Sequence, residues 1–445
     1  MGVIYTLSPL LVWSTAAMLV SGWLAARSLP DGERRMFSMI LVAGVIVRAA
    51  AVAAIALGAL PELNDLAVGT LAGDEGYNLA RSLRARDILL GFPTSHYDHF
   101  VATDEYGRSS YLTLITWLQL AAGPSPFGLR LINLVLFALG AVLLHRLIRA
   151  AFGGEVALVT LAAVLFLPTL LLASIALLKE SLYFAFVATF LASAWYAALA
   201  SSMRTRVLWI GLLVVAIIVL DDLRRGGAAL AIASLVLAAA IRLVLVSTRR
   251  VVAATALAAV IAVIALSRDD NRAFIARQVE QVAVVHAGNV FTIGRPYKLL
   301  DEGFYVNPRS PASALNLTFE QAVRFVVNAA VAFVVVPAPW QSATRADLVY
   351  LPQQLLWYAA LILLPIGLLV CWQRNATLTA LLASHLAITS AALMFTNGNI
   401  GTLVRLRGLI WPYVLCIAAA GALALRKASR ADVPAIPERA GDAAH

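Results

Sequence analysis

The chain returns repeatedly to apolar runs of membrane-spanning length, and this recurrence constrains its fold more than any other feature. The runs fall at Ile4–Ala26, Met36–Leu60, Phe127–Ile148, Val156–Leu178, Leu182–Ala200, Val207–Leu220, Ala228–Val246, Val251–Leu266, Leu355–Trp372, Leu378–Phe395 and Leu403–Leu425. A spanning helix needs roughly 17–25 predominantly apolar residues, whereas a barrel strand needs about 9–11 with strict alternation. Inside hydrocarbon only helices and closed barrels satisfy every backbone N–H and C=O. Run length therefore selects helices. The sequence predicts an all-α polytopic membrane protein with about 11 transmembrane helices plus juxtamembrane and re-entrant helices. Composition agrees: 61% of residues are hydrophobic and only 13% charged, about half the roughly 25% charge of a soluble domain.

The runs divide the chain. Residues 1–60 hold two N-terminal transmembrane helices, 61–126 an outer loop with juxtamembrane helices and an acidic motif, and 127–267 a transmembrane bundle. Residues 268–349 form a second outer loop with a re-entrant or interfacial helix, 350–428 the C-terminal transmembrane helices, and 429–445 a polar cytoplasmic tail expected to be disordered. Orientation follows from basic residues in short loops. Arg27, Arg34, Arg35, Arg146, Arg149, Arg204, Arg206, Arg249, Arg250, Arg374, Arg426 and Lys427 share one side only if the apolar stretch Ala322–Pro339 returns to the side it left. Its closing Pro337-Ala338-Pro339-Trp340 suits an interface, where Trp is favoured.

The net charge of +10 comes almost wholly from arginine, since lysine occurs only at Lys179, Lys298 and Lys427. No basic helix or aromatic–basic domain stands outside the bundle, which argues against nucleic acid as a partner. The two cysteines, Cys371 and Cys416, lie in separate apolar runs with no disulfide or zinc spacing. Walker, dinucleotide-binding, H-E-x-x-H and nucleophile-elbow motifs are absent.

Charge instead gathers in the outer loops. Gly73-Asp74-Glu75-Gly76-Tyr77 places two adjacent carboxylates beyond the second apolar run, and carboxylates at a membrane exit need water or a protein cavity. Asp74 and Glu75 are candidates for acid–base work, the competing role being to cap a helix N-terminus. Tyr77, Asp98 and Arg108 in the same loop are candidate substrate contacts, with Lys179 and Glu180 at the end of the fourth run and Arg405 and Arg407 beyond the glycine-rich Asn397–Thr402 patch. Arginine meets phosphate bidentately and stays charged, so an arginine-rich outer face suggests a lipid phosphate. His96 and His99, at i and i+3 near Pro93, are weak candidates for a divalent metal in what reads as a flexible loop. No other cofactor is expected. Tyr77–Leu90 reads as a short amphipathic helix, and Ser109–Ala122 as an apolar stretch that lies along the membrane or plugs the bundle.

On Asp74-Glu75 with Tyr77, the Arg-containing entry Phe127-Gly128-Leu129-Arg130, the exit His145-Arg146-Leu147-Ile148-Arg149 and the charged end Leu178-Lys179-Glu180, the chain resembles the polytopic C-type glycosyltransferase superfamily, which includes protein O-mannosyltransferases and bacterial aminoarabinose transferases. The resemblance covers about Asn64–Ala200, with the departure that Lys-Glu stands where many members carry Arg and Asp. It implies sugar transfer from a polyprenyl-phosphate donor to a glycan, lipid or protein acceptor at the extracytoplasmic face of a bacterial inner membrane, with Asp74 as base and Glu75 its neighbour. Two other expectations stand beside it: a polysaccharide polymerase or ligase that leans on Arg405 and Arg407, and a non-catalytic carrier or flippase for lipid-linked sugars. The last would need charges along a path through the bundle, where the runs offer Arg48 and Arg242.

Overall fold

A computed structural model describes residues 9–58, 73–104, 109–292, 295–305, 317–341 and 345–431. Eighteen α-helices and no β-strand form among them. Eight helices are long and apolar enough to cross a membrane, or ten if each of two bent pairs counts as one span. The chain is an all-α integral membrane protein.

The helices are α1 (Pro9–Ala26), α2 (Asp31–Gly58), α3 (Gly73–Leu89), α4 (His96–Thr103), α5 (Ser110–Ala122), α6 (Pro126–Phe152), α7 (Gly154–Phe166), α8 (Pro168–Ile175) and α9 (Glu180–Leu199). They continue as α10 (Met203–Leu223), α11 (Gly227–Val244), α12 (Thr248–Ser267), α13 (Asp269–Val290), α14 (Phe319–Val335), α15 (Arg345–Arg374), α16 (Ala376–Thr396), α17 (Ile400–Arg407) and α18 (Trp411–Ala431). Within the described residues each apolar run of the sequence is largely helical. The fourth and the last are broken: α7 and α8 meet at 62°, and α17 and α18 at 59°.

The first break has a covalent cause and a polar repair. Pro168 has no N–H and its ring clashes with the preceding turn, so the helix cannot continue straight. The break leaves backbone groups without helical partners in a region that excludes water. The Leu165 carbonyl accepts from Arg48 Nη1 at 2.5 Å, and the Thr169 N–H donates to Gln353 Oε1 at 3.1 Å. Arg48 also donates to Ser174 Oγ at 2.7 Å. The buried arginine that a transport path would use is thus spent holding the bend.

Close packing sets the other half of the bundle. On α15, a Cβ at Gly367 would lie 1.9 Å from the Ile417 carbonyl oxygen of α18, so glycine permits this crossing, as small residues do between membrane helices.

Short turns join consecutive spans and sort the loops to two ends. One end carries Arg146, Arg149, Arg374 and Lys427. There Arg149 Nε pairs with Glu33 at 2.6 Å, Lys427 with Glu155 at 2.7 Å, and Arg374 donates to the Phe152 carbonyl. The opposite end carries α3–α5, the α8–α9 and α10–α11 turns, and the α13–α14 segment. This last segment was expected as a loop with one helix; it contains the 22-residue α13 as well. The two helices share a small core of Ala283, Val290, Phe325 and Ala329. The α14 helix is opened by a Thr318–Gln321 capping box; Leu317 N–H donates to Glu280 on α13, and the Val334 and Val335 carbonyls accept from Trp357 and Tyr358 of α15. At the other terminus, α18 runs to Ala431 and the tail 432–445 lies outside the described residues.

Candidate functional site

A cavity of about 610 Å³ opens at the end that carries α3–α5. Asp74 and Tyr77 of α3, Lys179 and Glu180 at the α8–α9 turn, Asp222, Arg224 and Arg225 of the α10–α11 corner, and Arg405 of α17 all line it. Seven of these side chains are charged, four cations against three carboxylates.

The floor is made by the interrupted backbone between α8 and α9. Residues 176–178 are buried and non-helical, so their peptide groups need side-chain partners. Glu75 Oε1 accepts the Leu177 N–H at 2.9 Å, Asn78 Nδ2 donates to the Leu177 carbonyl at 3.1 Å, and Asn133 Nδ2 donates to the Ala176 and Leu178 carbonyls. Tyr111 Oη donates to Asn133 Oδ1 at 3.2 Å. Glu75 is completely buried and pairs with Arg130 Nε at 3.0 Å. Three helices thereby fix the turn that offers Lys179 and Glu180 to the cavity.

Asp74 and Glu75 sit in the first turn of α3, where carboxylates are favoured by the helix dipole. Successive helix positions lie about 100° apart, which sends Glu75 into the protein and Asp74 to the cavity. The structure thus separates a pair the sequence joined: Glu75 does not line the cavity and braces it from beneath. Asp74 keeps 63% of its side chain exposed and accepts from Arg405 Nη1 at 2.6 Å. Arg405 Nε lies 3.7 Å from Glu180 Oε1, which is also 3.4 Å from Arg224 Nη2. A chain of alternating charge, Asp74–Arg405–Glu180–Arg224, crosses the cavity. The side chains of Lys179 and Arg225 make no hydrogen bond or ion pair among the described residues. Burial first, and then Arg224, pushes the Lys179 ammonium below its ordinary pKa.

Arg407 is placed elsewhere. It is 1% exposed, donates to the Phe333 carbonyl and to Gln354 Oε1 at 3.3 Å, and lies over the rings of Phe333 and Trp357. In the glycine-rich patch before it, a Cβ on Gly398 would lie 2.6 Å from the His286 carbonyl oxygen, so glycine there serves a close approach to α13. Asn399 caps α17, accepting from Gly401 and Thr402 N–H.

His96 and His99 lie on α4 rather than in a flexible loop. Ser95 and Asp98 form a capping box at its start, a spacing readable in Ser95-His96-Tyr97-Asp98. Both histidines are exposed, and His99 Nε2 is 3.0 Å from Thr94 Oγ1. Among the described residues no three His, Cys, Asp or Glu side chains gather as metal ligands. Asp98 serves the cap and pairs with Arg84 at 2.8 Å. The Ser95 hydroxyl first, and then Arg84, hold its carboxyl at about 2. Tyr77 ties the cavity to this helix, donating to Asp104 at 3.1 Å. Arg108 lies outside the described residues.

Asp222 is absent from the sequence-based site, and Arg224 and Arg225 enter it only as members of the arginine-rich outer face. Their signal was the charged run Asp221–Arg225 at the end of a span, legible as an outer loop but silent about which loop it would face. Asp222 answers that by accepting the Ser110 N–H at the start of α5.

Comparison of the chain with protein families, with curated proteins and with solved structures finds no match.

Proposed function

We propose that this protein is a membrane glycosyltransferase that moves a sugar from a polyprenyl-phosphate donor onto a glycan, lipid or protein acceptor, at the extracytoplasmic face of a bacterial inner membrane. One observation carries the proposal. An exposed carboxylate and four cations converge on one cavity from segments as far apart in sequence as Asp74 and Arg405. A phosphate leaving group and a base for the acceptor proton are what such transfer requires.

In this mechanism Lys179 and Arg225 take the donor phosphate, because neither has to abandon a carboxylate to do so. Arg405 engages Asp74 at Oδ2 alone, and Oδ1 accepts the proton of the acceptor hydroxyl or amine. As the acceptor atom bonds to the anomeric carbon, the bond from that carbon to the phosphate oxygen breaks. The polyprenyl phosphate departs with its negative charge met by the cations. Glu180 holds Arg224 and Arg405 apart and in place.

The test is transfer from labelled polyprenyl-phosphate hexoses to envelope glycans by the purified protein in lipid nanodiscs. Asp74→Asn is expected to lower transfer roughly 10²–10⁴-fold with unchanged thermal unfolding. Near-normal transfer by that variant overturns the mechanism.

A further inference from the structure

A second groove, of about 680 Å³, adjoins the cavity and shares Ser109, Asp222 and Arg225 with it. Its remaining lining is Ser110, Thr113, Leu114 and Trp117, spaced i, i+3, i+4 and i+7 on one face of α5. The opposite face of α5, with Tyr111, Leu112, Ile115 and Gln119, is buried. Gln119 Nε2 donates to Ser82 Oγ on α3 at 2.6 Å. The groove wall is therefore rigid, and it is the free face of a helix docked on the other side.

We infer that this groove binds a neutral saccharide chain, which enters the cavity as the acceptor.

The side chains fit that ligand class and fit a hydrocarbon poorly. Trp117 is 56% exposed and offers a rigid ring with an apolar face, against which the C–H face of a pyranose can lie. Thr113 is exposed, and the buried Ser110 Oγ has no hydrogen-bond partner among the described residues. Asp222 spends one carboxylate oxygen on the Ser110 N–H, and the Arg225 side chain is unpaired among the described residues. Hydroxyls and an indole on the α5 wall, with the Asp222 carboxylate opposite, satisfy vicinal hydroxyl pairs and a sugar's apolar face together. A prenyl or acyl chain would cover Trp117 and Leu114 and strip water from the polar groups without replacing their hydrogen bonds, which is costly. Charge separates the two compartments as well. The cavity holds Lys179, Arg224 and Arg405 in addition to Arg225, whereas the groove has one cation and one carboxylate. The anionic donor belongs in the first and an uncharged partner in the second. The groove volume lies within the roughly 300–1,000 Å³ of ligand pockets.

Naming the saccharide as acceptor rests on the transfer proposed above; its binding in the groove does not. The test separates the two. Saturation-transfer NMR on the nanodisc protein, with neutral tetrasaccharides of glucose, galactose, mannose and N-acetylglucosamine as probes, reports saccharide binding without turnover. Polyprenyl phosphate lacking the sugar probes the cavity. At least one tetrasaccharide is expected to bind, and Trp117→Leu to weaken it about tenfold, as loss of an aromatic contact of about 1.4 kcal/mol would. Thr113→Val should weaken it to a lesser degree, and Lys179→Ala should leave it unchanged. Polyprenyl phosphate should show the reverse pattern. Absence of saccharide binding, binding indifferent to Trp117→Leu, or equal weakening of polyprenyl phosphate by Trp117→Leu overturns the inference. Saccharide binding that depends on Trp117, in a protein that ignores polyprenyl phosphate, upholds the groove and removes the donor assignment.

Discussion

Arg405 Nη1 lies 2.6 Å from Asp74 Oδ2, an ion pair between residues 331 positions apart in the chain. It joins the first turn of α3 to α17 and thus closes the cavity between the early and the late spans. Arg405 also faces Glu180, so a single guanidinium orients one carboxylate and restrains another. Its planar fork, with donors in fixed directions, allows this, whereas a lysine supplies a point charge. Arg405→Lys is therefore expected to retain folded protein and lower kcat roughly 10²–10³-fold, the scale of removing one preorganised donor. Single-turnover transfer by the nanodisc protein checks it, and an unchanged kcat would show that Asp74 needs no such partner.

The buried pair beneath the cavity should behave differently. Glu75 and Arg130 are both almost inaccessible, and Glu75 also holds Leu177 N–H. Removing one member takes the buried counter-ion from the other, so Glu75→Gln is expected to cost about 3–5 kcal/mol. Arg130→Gln added to it should cost less than the sum of the single losses. Unfolding of the purified variants measures both, and additivity would contradict the pairing.

These two contrasts show what the sequence could and could not tell. The spans were legible because apolar runs of spanning length have few alternatives. The break at Pro168 was not legible, since Pro352 and Pro365 lie inside the single helix α15. The division of labour between neighbours was not legible. Asp74 and Glu75 differ by one position, and Arg405 and Arg407 by two, yet in each pair one side chain reaches the cavity and the other the interior. Facing is set by which helix packs behind, and α3 and α17 lean on segments remote in sequence. The part played by Asp222 depends likewise on α5 docking beside α10.

Lys179 gives a pH signature. Burial lowers its pKa in the folded protein, so it loses its proton before an ordinary lysine, whose pKa is about 10.4. At neutral pH the ammonium is charged in both folded and unfolded chains, and the cost of burying it is present in full. As pH rises through the folded pKa toward the ordinary value, that cost is relieved. Lys179 therefore favours folding more at alkaline pH, and this contribution is lost as pH falls through the folded pKa. Affinity for the donor phosphate moves the opposite way, since the neutral amine no longer attracts it. Polyprenyl phosphate binding is expected to weaken on the alkaline side, starting below about 10.4, and Lys179→Arg to remove that weakening. A wild-type profile identical to that of Lys179→Arg would exclude Lys179 from phosphate binding.

His96 and His99 are exposed on α4 and do not line the cavity. Their joint replacement by alanine is expected to change transfer by less than about twofold, the scale of most surface substitutions. The Ser95–Asp98 box that starts the helix matters more: Ser95→Ala should destabilise α4 by about 1 kcal/mol, seen as faster amide exchange over His96–Thr103. A large loss of transfer in the histidine variant would return a metal or substrate role to this helix.

Arg405 and Arg407 also separate transfer by Asp74 from polymerase or ligase chemistry that leans on both arginines. On α17 the two are about 200° apart around the axis. Arg407 is locked against Phe333, Gln354 and Trp357, where its charge joins α14 to α15 and reaches no cavity-lining group. Arg407→Met keeps much of the volume and leaves the Phe333 carbonyl without its donor, at a cost of about 1–3 kcal/mol. Less folded protein is expected, but the molecules that do fold should keep the wild-type KM for the donor. Arg405→Lys should do the reverse, sparing yield and damaging kcat. If both arginines instead governed KM in stable variants while Asp74→Asn remained active, the cavity would serve the polymerase or ligase chemistry. Measuring yield, KM and kcat for the three variants side by side makes the distinction.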